Sequence, residues 1–210
     1  MTVHSDLASM CATLSEFDTA TLCESNEGGA LAPGIGPLTS DSRVGGVALT
    51  VLCPPGDNLA IHLAIARAQP GDVVVVQTGD SAYGVWGEVM TVAAMARGIA
   101  AVILDGSARD IDGIRSHGFP VFGRGTAIRG TVKKARGAVG VPILCGGQLV
   151  WPGDVIVADV SGVVAIRAAN GAAVAEKAAA RRLKEAGIMD GLRQGRTTIE
   201  LLGLGAGEQD

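Results

Sequence analysis

The chain has 210 residues, 48% of them hydrophobic, and a formal net charge of -4, enough apolar material for one sizeable core and, on size alone, one domain. Its 17 Lys and Arg residues are spread out rather than striped, and aromatics make up only 3%, which sets aside an electrostatic footprint for nucleic acid and stacking platforms for bases. The start, "MTVHSDLASM", has no basic segment leading into an apolar core, and apolar stretches such as "IAAVIL" at 99–104 are far too short to span a bilayer. The expectation is a cytoplasmic protein with neither membrane nor nucleic acid as partner. Cys11, Cys23, Cys53 and Cys145 show no CxxC or Cys/His spacing, so neither a zinc cage nor a disulfide framework is suggested.

Along the chain, residues 7–23 read as one amphipathic helix and "NEGGALAPGIGPL" (26–38) as a loop. A strand over 44–53 runs into Pro55-Gly56-Asp57, where Asp57 or Asn58 caps a helix over 58–68 with Leu59, Leu63 and Ala66 on one face. Two Pro-Gly-Asp turns, at 70–72 and 152–154, each feed a β-branched run, "VVVV" and "VIVA". This rhyme is too short to mark a repeated domain. A helix over 87–97 stops at Gly98, a C′ glycine. Strand-like runs follow at 99–104, 120–123, 141–145, 148–151, 154–158 and 163–166, then a helix from after Asn170 to about Ala186, then a short helix and tail over 188–205. This order predicts a mixed α/β domain with a compact sheet or barrel rather than repeated βαβ winding.

Two short stretches can carry chemistry. Gly87-Glu88-Val89-Met90 opens a helix whose free N–H groups and positive dipole end can hold a carboxylate, although Glu88 is favourable there as a first-turn charge by itself. Arg109 and Asp110 follow a strand end, where Arg can fork onto a carboxylate or enolate and Asp can bind a hard cation; an exposed ion pair is the alternative. Lys133, Lys134, Lys177 and Lys184 lie in polar, helix-like or loop contexts, without the burial that a Schiff-base lysine needs. Aldol chemistry here therefore calls for a metal. His62 and His117 lack a ligand partner at i+3 or i+4 and read as packed or hydrogen-bonding residues. "GIGPL" (34–38) is a poor dinucleotide loop, without a third glycine or a following helix.

Four segments, "WGEVMTVAAMARGIAAVILDGSARD" (86–110), "GFPVFGRG" (118–125), "GTVKKARGAVGVPILCGG" (130–147) and "WPGDVIVADVSGVVAI" (151–166), resemble the family of 4-hydroxy-4-methyl-2-oxoglutarate aldolases and the related regulator of ribonuclease activity A. The resemblance covers most of 45–205. It implies a swivelling β/β/α fold, with a compact sheet or barrel flanked by helices, as one domain over 1–210. Residues 1–40 would form an N-terminal helix and loop, and 170–210 C-terminal helices at a subunit interface. It further implies a homotrimer or homohexamer with the site between subunits. The activity implied is a Mg²⁺- or Mn²⁺-dependent pyruvate aldolase acting on small 2-oxo acids such as 4-hydroxy-4-methyl-2-oxoglutarate or 4-carboxy-4-hydroxy-2-oxoadipate, often with oxaloacetate decarboxylase activity. By the same resemblance Asp110 anchors the metal, Arg109 sits beside the enolate, and the turn at Gly87, with the amides of Val89 and Met90, receives the pyruvyl carboxylate. Glu88 orients a metal-linked water. Glu185, with Glu176 as the alternative, completes the metal's outer shell from a neighbouring chain. A regulator that docks on a ribonuclease without catalysis is the competing expectation.

Overall fold

The computed structural model describes residues 2–39, 43–79 and 81–204. The chain opens with helices α1 (Thr2–Leu14) and α2 (Thr19–Ser25), then strands β1 (Gly36–Pro37) and β2 (Val44–Leu52), helix α3 (Leu59–Arg67), and strands β3 (Asp72–Gln77) and β4 (Gly84–Trp86). Helix α4 (Glu88–Ala96), strands β5 (Ala101–Asp105) and β6 (Ser107–Ala108), helix α5 (Ile111–Ser116), and strands β7 (Val121–Gly123) and β8 (Gly125–Thr126) follow. Strands β9 (Ala138–Val139), β10 (Ile143–Cys145), β11 (Gln148–Val150), β12 (Val155–Asp159) and β13 (Gly162–Ile166) precede helices α6 (Gly171–Arg193) and α7 (Thr198–Leu202).

The main sheet runs β1-β7-β5-β3-β2-β12-β13, with β9 also paired to β2. Segment 29–31 bonds along β13, with Leu31 N to Val163 O at 2.9 Å, and the same chain then reaches β7 through β1. The ends of the sheet are thereby drawn together into a nearly closed barrel flanked by helices.

Alternation within single strands explains how it packs. Val73 and Val75 join Ala101, Ile103, Phe122 and Ile156 in one buried cluster, whereas Val74 and Val76 join Val102, Leu104 and the helical residues Ile61, Ala64 and Ala94 in another. Apolar cover on both faces is why "VVVV" lacks polar alternation. A third cluster seats α1, α2 and α6 on Val155, Val157, Val164 and Ile166.

Several expectations are corrected. Residues 7–23 do not form one helix: the chain breaks after Leu14, and Asp18 caps α2 by accepting from Thr21 N at 2.8 Å. Repeated winding does occur, because β2, β3, β5 and β7 are parallel neighbours and each crossover between them carries a helix. Helix α3 buries Ala60, Ile61, Ala64 and Ile65 instead of the stripe Leu59, Leu63 and Ala66; it is apolar nearly all round, so periodicity could not choose the face. Helix α6 continues to Arg193, past Ala186, which shortens the tail expected over 188–205, and residue 205 of it lies outside the described residues. No helix among the described residues is long and apolar enough to cross a membrane.

One buried carboxylate ties distant segments together. Asp57 accepts from Leu59 N at 2.9 Å, Lys134 N at 2.7 Å and Ala135 N at 2.8 Å, while Val132 N reaches Gly56 O at 2.9 Å. Burial alone would raise this carboxyl's pKa, but the three amide donors outweigh it and hold it below the ordinary carboxylate value. A depressed folded-state pKa contributes stability above the unfolded value, which is lost as pH falls through the folded one. Asp57→Ala is therefore expected to cost roughly 1–3 kcal/mol in urea unfolding at neutral pH, since buried N–H groups lose their acceptor. The deficit relative to the parent should shrink on acidification below about pH 4.

Candidate active site

Three very short strands build the site. β4, β6 and β8 form a separate parallel sheet, and the ladder extends one residue further as Arg109 N donates to Trp86 O at 2.8 Å. The ends of β4 and β6 therefore deliver Gly87 and the Arg109-Asp110 pair to the same place. Trp86 anchors the floor, fully buried, stacked on Phe119 at 6.0 Å and donating from Nε1 to Thr91 Oγ1 at 2.8 Å.

Asp110 has left-handed backbone angles, φ 56° and ψ 38°, a state that costs a non-glycine residue about 1 kcal/mol or more. Its Oδ2 lies 3.6 Å from Arg109 Nε and accepts, at a long 3.4 Å, from Glu88 N. Both side chains of the ion pair are 45% exposed, so the pair itself returns only about 0–1 kcal/mol. The ion pair alone thus does not account for this conformation, in which Asp110 also caps α5 and its carbonyl accepts from Ile114 N at 3.0 Å. A Cβ on residue 87 would stand 2.5 Å from Asp110 Oδ2, so any side chain there would push the carboxylate out of its present position.

Helix α4 begins at this point. Its first internal bond is Thr91 N to Gly87 O at 3.1 Å, which leaves the amides of Val89 and Met90 among those without an acceptor inside the helix. Gly87, Val89, Met90, Arg109 and Asp110 all line a cleft of about 210 Å³. Glu88 turns elsewhere: its Oε1 meets His117 Nε2 at 3.1 Å, and its carboxylate lies against Gly113, where a Cβ would come within 2.5 Å of Oε2. Glu185 is on α6, paired with Arg181 at 2.7 Å, and Arg181 also meets Glu24. It does not line its own chain's cleft, and Glu176 is exposed on the same helix.

Among the residues that the structure adds to the cleft lining are Asn58, His62, Thr131 and Lys133, none of them taken as a site residue from the sequence. Asn58 and His62 are one turn apart in the otherwise apolar "NLAIHLAIA", and this interruption was a legible signal. Lys133 had none; the bonds of Asp57 and Val132 carry its loop to the start of α3. His62 has its pKa lowered, first by burial and then by the positive charge of Lys133, so the ring is neutral at pH 7.

Among the described residues no group of three or more His, Cys, Asp or Glu side chains converges as a metal cage would. A single half-exposed carboxylate instead fits a hard cation that keeps most of its own waters.

The family model "RraA-like: Aldolase/RraA" matches residues 19–165. A protein of Halalkalibacterium halodurans, provisionally named a 4-hydroxy-4-methyl-2-oxoglutarate aldolase, is 42% identical over 133 residues, a match that spans 63% of each chain and thus less than two thirds of that relative's length. The crystal structure of an uncharacterized protein from Pseudomonas syringae pv. tomato superimposes with a TM-score of 0.80 at 31% identity, covering 94% of both chains. Streptomyces coelicolor RraAS2, described as an unusual member of the RNase ES inhibitor RraA family, superimposes with a TM-score of 0.80 at 27% identity, covering 86% of this chain and 96% of that one. With the model spanning most of the barrel and the cleft, this chain belongs to the RraA-like (Aldolase/RraA) family.

Proposed function

We propose that this chain is a divalent-metal-dependent pyruvate aldolase that cleaves 4-hydroxy-2-oxo acids, such as 4-hydroxy-4-methyl-2-oxoglutarate or 4-carboxy-4-hydroxy-2-oxoadipate, to pyruvate and a second oxo acid, and that also decarboxylates oxaloacetate. The observation that carries this reading is the convergence of Arg109, Asp110 and the opening amides of α4 on one cleft. Cleavage of a carbon–carbon bond beside a 2-oxo group leaves an enolate, and fixed positive groups at the developing oxyanion lower that barrier. The Val89 and Met90 amides bind the pyruvyl carboxylate, and Arg109 donates to the keto oxygen as its charge grows. Asp110 would hold Mg²⁺ or Mn²⁺, which when bound supplies a Lewis acid. Glu88 would hold a water at the outer rim, and Glu185 would approach from a neighbouring copy in a homotrimer or homohexamer. The exposed side chains of Val89, Val92 and Met95 on α4, and of Leu183, Ile199 and Leu202 on α6 and α7, support such an assembly. This reading places the protein in the cytoplasm, where four free thiols persist.

Purified protein is expected to release pyruvate from oxaloacetate and from 4-hydroxy-4-methyl-2-oxoglutarate with Mg²⁺ or Mn²⁺, and to stop when a chelator is added. No turnover of either substrate with either ion overturns the proposal. The likeness to RraAS2 favours one rival, a ribonuclease-docking regulator. Catalytic silence combined with tight, stoichiometric binding to a ribonuclease would establish it.

A further inference from the structure

Two of the residues that line the cleft each bury a polar atom that has no hydrogen-bond partner among the described residues, Asn58 Oδ1 and His62 Nε2. They lie one helical turn apart, at the cap and fourth residue of α3, and so share a face. The Asn58 amide is oriented by its other end: Nδ2 donates to Val85 O at 2.9 Å and approaches Met90 Sδ at 3.4 Å, which leaves Oδ1 as an unused acceptor. Folded proteins leave few buried acceptors unpaired, because each costs about 1–3 kcal/mol. The remaining source of a donor is a water or a ligand group seated directly against these two side chains.

The His62 ring is neutral for the reasons already given, and in the Nδ1-protonated tautomer, which the proposal requires, its Nε2 is an acceptor too. Apart from Asp110 and Thr131, the polar lining of the cleft thus divides into two chemically opposite sets, its donor and acceptor walls. Arg109, Lys133 and the α4 amides offer only donors, suited to carboxylate and keto oxygens. Asn58 Oδ1 and His62 Nε2 offer acceptors, suited to a hydroxyl.

We propose that the acceptor wall binds the 4-hydroxyl of a 4-hydroxy-2-oxo acid and that His62 Nε2 takes the hydroxyl proton during cleavage. The inference rests on the aldolase reading and names the group within it that starts the reaction. The O–H bonding pair becomes the C4=O π bond and the C3–C4 bond breaks. Its electron pair forms the C2=C3 bond of the enolate, and the keto oxygen becomes the oxyanion beside Arg109. The proton rests on His62 as imidazolium and returns to C3, giving the methyl group of pyruvate and neutral His62. No oxidant, reductant or co-reactant is required.

Oxaloacetate separates this role from a structural one, because loss of CO₂ forms the same enolate with no hydroxyl proton to remove. In His62→Gln, which can hydrogen-bond but not serve as this base, the ratio of kcat for 4-hydroxy-4-methyl-2-oxoglutarate to kcat for oxaloacetate is expected to fall by about 10²–10⁴. In His62→Ala, added imidazole is expected to restore part of the aldol cleavage and none of any loss in decarboxylation. Calorimetry with oxalate and Mg²⁺ should give parental affinity in both variants, since oxalate needs only the donor wall. An unchanged ratio, whether both activities fall together or neither falls, overturns the proposal. A parent protein inactive on both substrates overturns the aldolase reading itself, a different result.

Discussion

Asp110→Asn is expected to fold as stably as the parent and to lose metal-dependent turnover almost entirely. Asparagine tolerates left-handed backbone angles as well as aspartate does, and its carbonyl oxygen can still accept from Glu88 N, now at 3.4 Å from Asp110 Oδ2. What it lacks is the negative charge. No group of three or more His, Cys, Asp or Glu side chains converges among the described residues, so on the proposed reading that charge is this chain's main direct contribution to holding the ion. The loss in Mg²⁺ or Mn²⁺ affinity should exceed about 100-fold, the upper end of what a lost outer-shell partner costs. Calorimetric titration with metal, alongside pyruvate release, measures it. Thermal unfolding of both proteins without metal should coincide. Retained metal-dependent turnover in Asp110→Asn would move the ion site elsewhere in the chain.

Arg109→Lys tests the other half of the site. Three glycines make room for this side chain: Cβ atoms on residues 84, 87 and 130 would come within 2.9 Å of Arg109 Cβ, 3.3 Å of its Cγ and 3.3 Å of its Nη1. A planar guanidinium held in such a slot can aim two N–H groups at an oxyanion, whereas an ammonium on a flexible stem is a hydrated point charge. Losing a fixed donor of this kind typically costs about 10²–10³ in kcat. Arg109→Lys is therefore expected to lower kcat for aldol cleavage and for oxaloacetate decarboxylation alike by that factor, because on the proposed reading both pass through the same enolate. KM should change far less. Equal damage to both reactions distinguishes Arg109 from His62, whose loss is expected to fall on the hydroxylated substrate. A lysine variant with parental kcat would show that charge alone, without directed donors, suffices.

The parts of the molecule that could be read in advance are those whose cause is local. The Val-rich runs at 72–77, 155–159 and 162–166 are strands because β-branched residues bounded by Gly turns favour extended chain. Helix α4 starts and stops where its glycines stand: Gly87 is its N-cap, and Gly98 follows it with φ 69°. Arg109 and Asp110 stood out as charges at the end of an apolar run, and residue 87 as the start of a helix. Each of these arises within about ten residues of sequence.

The remainder depends on pairings that no short window contains. β4, β6 and β8 are two or three residues long, too short for any periodicity, and exist because each finds a parallel neighbour; without them the two site segments would not meet. The buried face of α3 was chosen by the sheet it covers, from an almost uniformly apolar helix. Lys133 reached the cleft through the grip of Asp57 on amides 77 and 78 residues further on. The sequence by itself determined which segments could be strand or helix and which side chains could carry charge chemistry, since backbone propensity and ionisation are properties of residues. Only the tertiary structure decided which of those side chains share a cavity and which of their polar atoms remain unpaired, since burial and hydrogen-bond satisfaction belong to pairs of groups that the fold brings together.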